Sequence, residues 1–174
     1  MHKVGEYTLR KPEPRDVEAL YRQKNDPEVA ELLGGFSTGY SRADLLKWVE
    51  IHGQARDEVL FVIADSQDAP VGHVALYHVD HRVGQAELGI LLGERSIWGK
   101  GVGRACSRWM VEFGFRELNL RRIYLEVLGT NRRAQELYAR LGFVVEGRLR
   151  QHQLKGGCHV DVILMGLLRE EYAW

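Results

Sequence analysis

The sequence predicts a mixed α/β fold, an α+β order of elements in which one central sheet is flanked by helices. Three observations predict it. A strand-like run, Ala86–Leu92, is followed by the glycine-rich stretch Trp98-Gly99-Lys100-Gly101-Val102-Gly103-Arg104 and then by an amphipathic helix. Two further strand-like segments precede Ala86 without an intervening helix, and two more close the chain around Lys155-Gly156-Gly157. Helical stripes fall between these groups, so strands and helices interleave in what reads as one domain, residues 1–174.

Taken in order, Glu6-Tyr7-Thr8-Leu9-Arg10 alternates in polarity and predicts the first strand. Pro14 suits the first turn of a helix, whose short apolar stripe is Val17, Leu20 and Tyr21. Asn25-Asp26-Pro27 ends that stripe. The loop Gly34–Tyr40, lying between two helices, is the expected wall of a substrate site. Ser41 caps the second helix, with Asp44 at its third position and Leu45, Trp48, Val49 and His52 along it. Strands follow at Leu60–Ala64, Val71–Val79 and Ala86–Leu92, the last two close enough for an antiparallel hairpin. The helix after the glycines has apolar residues at Val102, Ala105, Cys106, Trp109, Met110 and Phe113, one face at helical spacing. Ile123–Val127 is the next strand. Asn131 caps a second short helix bearing Ala134, Leu137, Tyr138 and Leu141, which Gly142 stops. Phe143–Arg150 and His159–Leu168 are the closing strands.

Bulk properties exclude several classes. Lys plus Arg and Asp plus Glu number 24 each, so no basic excess points to nucleic acid. No apolar run is long enough to span a membrane. The first residues lack a signal-peptide core, which makes the cytoplasm the expected compartment. Cys106 falls on the helix stripe as a small core residue. The seven histidines, with Cys158, reproduce no metal-ligand spacing, so no metal is expected. The His78–His81 stretch is expected to face a substrate.

Glycines between a strand and a helix N-terminus bring backbone N–H groups against an anion, and the helix dipole adds positive potential. The turn therefore reads as a pyrophosphate site. A P-loop fails, because Lys100 is followed by Gly101 where a magnesium-binding hydroxyl is needed. Gly101-Val102-Gly103-Arg104-Ala105-Cys106 approaches the G-x-G-x-x-G of dinucleotide-binding folds, yet successive strands and a hairpin precede it. A nicotinamide-dinucleotide site stays open on these residues alone.

From Leu88 to Leu168 the chain resembles the GNAT acyltransferases. Their signature, [QR]-x-x-G-x-[GA], is matched by Trp98-Gly99-Lys100-Gly101-Val102-Gly103 in its small positions. Trp98 replaces the usual Gln or Arg and cannot supply that polar side chain. The W-G-K-G form is similar to the branch containing ribosomal-protein N-terminal and spermidine acetyltransferases. The resemblance continues through Asn131-x-x-Ala134-x-x-Leu137-Tyr138-x-x-Leu141-Gly142-Phe143, Glu146-Gly147-x-Leu149-Arg150 and Gly157-x-x-x-Asp161-Val162-Ile163-x-Met165.

The resemblance implies the acyl-CoA N-acyltransferase fold and a transfer from acetyl-CoA to a primary amine. It places the CoA pyrophosphate on backbone N–H groups from Gly99, Lys100, Gly101, Val102, Gly103 and Arg104, with Lys100 and Arg104 adding charge. A β-carbon at Gly101 would obstruct that approach. It also implies a thioester-polarising N–H at Leu92, a cofactor contact from Asn131, and Tyr138 as the acid that protonates the departing thiolate. Two carboxylates compete as general base. Glu87 lies on the strand leading to the turn, and Glu126 stands twelve residues before Tyr138. With no Ser-His-Asp or Cys-His set, transfer is expected directly in a ternary complex. The acceptor reads as a protein N-terminus, a polyamine or an amino sugar, and a homodimer is implied by the family. A catalytically silent acyl-CoA-binding module would keep the turn without needing Tyr138 or a base.

Overall fold

An eight-stranded sheet runs in the order β1-β2-β3-β4-β5-β6-β8-β7. The strands are β1 (His2–Val4), β2 (Tyr7–Arg10), β3 (Val59–Ala64), β4 (Pro70–Asp80), β5 (Gln85–Leu92), β6 (Arg122–Leu128), β7 (Val144–Lys155) and β8 (Cys158–Leu168). Five helices accompany them: α1 (Val17–Lys24), α2 (Pro27–Leu32), α3 (Arg42–Gln54), α4 (Val102–Arg116) and α5 (Arg132–Arg140). The computed structural model describes every residue except Phe36 and Ser37. Among the described strands β5 and β6 form the one parallel pair, and all other neighbours are antiparallel. Because the glycine turn opens the α4 crossover of that single pair, a doubly wound dinucleotide fold is excluded.

Local chemistry accounts for most boundaries. Ser41 and Asp44 form a reciprocal capping box on α3. Asn131 Oδ1 accepts from Ala134 N–H at 3.1 Å and starts α5. The segment Asn25-Asp26-Pro27, read from sequence as a break, also starts a helix. Asp26 caps α2 through Glu28 and Val29 N–H groups, with Pro27 in the first turn. At six residues α2 is too short for its apolar pattern to register. The N-terminal strand is likewise a hairpin of β1 and β2 rather than one strand from Glu6.

The main core lies between the sheet and α4, whose buried face carries Val102, Cys106, Met110, Val111 and Phe115. Ala105, expected on this face, is exposed. Trp109 and Phe113 sit at the margin, stacked on one another and packed edge-on against Phe61. A smaller core joins α1 to α3 through Leu20, Leu45 and Val49.

A buried ion pair ties the sheet to this second layer. Arg10 on β2 grips both oxygens of Asp16 at 2.9 and 2.8 Å, with exposures of 4% and 1%. Arg10 Nε also reaches Asp68 in the β3–β4 turn at 2.6 Å. The fork geometry satisfies donors and acceptors together, so the interior tolerates both charges. Removing one partner strands the other without water. Asp16→Ala is expected to destabilise the fold by about 3–5 kcal/mol, read as a lowered urea midpoint.

Candidate active site

β5 and β6 start in register, Gln85, Ala86 and Glu87 beside Arg122, Ile123 and Tyr124, and then separate. Beyond Glu87 one edge of β5 faces an opening in the sheet. Gly93 N–H is spent on Val71 O at 2.9 Å, on the β4 side. Antiparallel alternation then turns the N–H groups of Leu92 and Ile90 toward the opening, while that of Leu88 closes the last rung with β6. A groove of about 510 Å³ fills it, walled by β5, the end of β6, α2, α5 and the glycine turn.

At one end the groove meets the N-terminus of α4. Gly101 is its N-cap at φ +83° and offers no side chain to the first N–H groups of the helix. Val102, Gly103 and Arg104 all line the groove, and their N–H groups and the helix dipole are of a kind that suits an anion. A β-carbon at Gly101 would meet no protein atom within 4 Å. Glycine is therefore required by the left-handed backbone and by whatever lies in the groove. Gly103 has a different reason: a β-carbon there would stand 3.3 Å from Leu137 Cδ1 and Leu92 Cδ1. Its missing side chain lets α4 pack on β5 and α5. Gly99 and Arg104 line the groove, whereas Lys100 is exposed and does not.

Trp98 corrects the expectation that an aromatic ring there brings no polar contact. Its indole N–H donates to Leu92 O at 2.9 Å, pinning the end of β5 to the turn, and the Arg133 guanidinium lies 5.8 Å from the ring centroid. Asn131 caps α5 and also donates to Leu32 O at 3.3 Å, joining α5 to α2 beside the groove.

Tyr138 lines the groove from α5 and is 7% exposed. Its hydroxyl has no hydrogen-bond partner among the described residues, and burial pushes its pKa up to about 12. Glu87 and Glu126 line the same groove. The β5–β6 register puts Glu87 beside Tyr124, so Glu87, Tyr124 and Glu126 share one face of the sheet. Neither carboxylate has a Lys or Arg partner among the described residues; Glu87 touches only His78, whose Nδ1 lies 3.0 Å from Oε2.

Sequence reasoning missed two contributors to this face, Tyr77 and Gln153. Tyr77 leans over β5 because Gly89 has no side chain; a β-carbon there would lie 2.7 Å from Tyr77 Cε2. Burial and the nearby Glu58 and Glu87 charges raise the Tyr77 phenol well above its usual range. Gln153 Oε1 accepts from Gly35 N–H at 2.6 Å and brings β7 to the rim. His78 is reached through a bulge in β4. Of the loop expected to wall the substrate, Gly34 lines the groove, and Phe36 and Ser37 lie outside the described residues. Among the described residues no group of three or more His, Cys, Asp or Glu side chains stands ready for a metal, and no helix is long and apolar enough to cross a membrane.

Comparison with known proteins decides the family. The acetyltransferase (GNAT) domain model matches residues 7–144. The chain belongs to the GNAT acetyltransferases. This GNAT enzyme is an N-acetyltransferase with acetyl-CoA as its acyl donor. It is 32% identical over 171 residues to uncharacterized N-acetyltransferase p20 of Bacillus licheniformis, across 95% of this chain and 94% of that protein. It is 31% identical over 171 residues to the spermidine N(1)-acetyltransferase of Vibrio cholerae, across 97% and 96% of the two chains. The crystal structure of spermidine N-acetyltransferase from Vibrio cholerae in complex with CoA and spermine superposes with a TM-score of 0.85. It is 28% identical, with 96% of this chain and 98% of that one covered.

The Trp98 anchor is testable on the GNAT fold itself. Trp98→Phe keeps the ring but leaves the Leu92 carbonyl without its donor, an expected cost of about 1 kcal/mol in urea unfolding. An unchanged midpoint would show that the indole N–H holds nothing.

Proposed function

We propose that residues 1–174 act as one domain that acetylates a primary amine of a polyamine, directly from acetyl-CoA. The observation that carries this reading is a groove with a free helix N-terminus at one end and, elsewhere on its wall, two carboxylates without Lys or Arg partners among the described residues. The helix end suits a pyrophosphate, and uncompensated carboxylates suit an acceptor bearing several ammonium groups. The spermidine acetyltransferases among the relatives support the same acceptor class.

Acetyl-CoA supplies the acetyl group as a thioester. The carbon–sulfur bond breaks, a carbon–nitrogen bond forms, and CoA leaves as the thiol while one proton goes to solvent. The N–H groups from Gly99 to Arg104 hold the pyrophosphate, with Arg104 adding charge at the groove and Lys100 adding it from outside. The N–H groups of Ile90 and Leu92 offer a ladder edge to the extended pantetheine arm, and Leu92 polarises the carbonyl as a single oxyanion donor. Asn131 borders the same arm from the start of α5.

An alkylammonium with a pKa of about 10 is mostly charged at neutral pH and cannot attack. Glu87, half-buried and facing the groove, takes that proton directly or through one water. Glu126, two residues beyond Tyr124 on the same face, holds a second ammonium of the acceptor and serves as the competing base. Tyr138 gives its hydroxyl proton to the departing sulfur. Burial raises phenol and thiol alike, because both conjugate bases are anions, so the mismatch between them stays bridgeable in the closed groove.

Tyr138→Phe is expected to lower kcat about a hundredfold while acetyl-CoA binding, followed by calorimetry, is unchanged. Because Tyr138 stays protonated well past its ordinary pKa, wild-type kcat should hold up to about pH 10.5, where an unshifted phenol near 10 would already be titrating. Gly101→Ala forces a β-carbon into a left-handed position at the anion site and should weaken CoA binding by about tenfold. A panel of spermidine, amino-terminal peptides and an amino sugar identifies the acceptor. Acetylation of the peptide alone would overturn the polyamine reading, and CoA binding with no amine acetylated would leave a silent binding module.

A further inference from the structure

Pairing of β4 with β5 runs from Gly72 opposite Leu92 to Tyr77 opposite Glu87, then resumes at Asp80 opposite Gln85. Across that last step β4 carries one extra residue: His78 and Val79 face Ala86 alone, a β-bulge. Val74 and Leu76 point into the main core, and strict alternation would send residue 78 there as well. Val79 takes that place instead. His78 absorbs the insertion with φ +51°, a left-handed conformation uncommon for any residue with a β-carbon, though Asn, Asp and His enter it more readily than others.

Packing does not ask for an imidazole at this point. The His78 side chain is 72% exposed, and its polar contact among the described residues is Glu87, with Nδ1 3.0 Å from Oε2. An ionised carboxylate only accepts, so Nδ1 is the donor. Glu87 itself is 28% exposed and has no other hydrogen-bond donor among the described residues. Tyr77 and Tyr124 flank it, and Glu126 lies further along the same face; none of them holds it.

We propose that His78 is a positioning residue for the general base, its Nδ1–H tying down Oε2 of Glu87 so that Oε1 faces the acceptor amine. The inference rests on the assignment of Glu87 as base made above. In the step it serves, the ammonium proton passes to Oε1, the nitrogen lone pair so freed forms the bond to the acetyl carbon, and the carbon–sulfur bond breaks. CoA leaves as the thiol with the Tyr138 proton, which the acylated nitrogen's second proton replaces, and the carboxyl returns its own proton to solvent. A carboxylate on a flexible side chain, unheld, spends much of its time in rotamers that aim neither oxygen at the amine. A backbone strain kept at a residue whose side chain serves the reaction, not the core, is the pattern expected of a functional bulge.

The test exploits the backbone. Gly and Asn both suit a left-handed conformation, so His78→Gly and His78→Asn relieve strain and leave the bulge in place. Asn carries an N–H at the same remove from the backbone as Nδ1, and Gly carries none. His78→Gly should lower kcat about tenfold with acceptor KM shifted less than about twofold, the loss of one hydrogen bond to a charged group. His78→Asn should recover most of that loss, and both variants should melt no lower than wild type. Wild-type kcat in His78→Gly overturns the proposal, as does His78→Asn remaining as slow as His78→Gly. Glu87→Gln assayed alongside separates the two layers. Full activity in that variant sinks the base assignment itself, whereas a slow Glu87→Gln beside an unimpaired His78→Gly sinks the positioning role alone.

Discussion

The separation of β5 from β6 is the constraint on which the rest of this molecule depends. The two strands share three rungs, Gln85 to Glu87 against Arg122 to Tyr124, and then part. A sheet that stops pairing normally exposes polar backbone at a cost, because buried N–H and C=O groups need partners. Here the exposed edge of β5 becomes the wall of a groove that an extended, amide-bearing cosubstrate can complete. The same parting lets the N-terminus of α4 and the face of α5 line one channel. Trp98 closes the construction by donating its indole N–H to the last carbonyl of β5.

Two electrostatic devices are set against each other within that channel. At the glycine turn the chain withholds a capping side chain, so the helix end keeps its positive potential for a ligand. On the opposite face of the sheet Glu87 and Glu126 have no Lys or Arg partner among the described residues, although such partners are plentiful elsewhere: Arg10 holds Asp16, and Arg148 pairs with Asp161. Leaving charges uncompensated lowers stability, and the sites where a protein does so are candidates for binding. Tyr138 follows the same logic in neutral form. Burial, with no hydrogen-bond partner among the described residues, keeps its hydroxyl protonated.

The bulge in β4 shows how local strain and core packing are coupled. One extra residue lets Val79 fill the core and swings residue 78 to the opposite face, beside Glu87. A strand of perfect alternation would have to choose between the two. Tyr77 depends on a similar economy, since its ring crosses β5 only where Gly89 leaves room.

Much of this was legible in residue order. The Ser41 and Asn131 caps, the glycine turn, the helix stripe through Val102, Cys106 and Met110, and the short helix that carries Tyr138 are local patterns, governed by neighbours a few residues apart. Local chemistry does not distinguish a stop from a start, so Asn25-Asp26-Pro27 could be read as a break when Asp26 was in fact a cap. The packing reason for Gly103, the exposure of Ala105 and the donor role of Trp98 arise from contacts with residues distant along the chain. His78 is the clearest case. Nothing near it in sequence announces a bulge, because the insertion exists only relative to β5. Sequence by itself determined the family, the glycine turn between strand and helix, and the residue types able to move protons. Tertiary structure alone decided which of them share a groove, since that follows from strand register and from where two strands cease to pair.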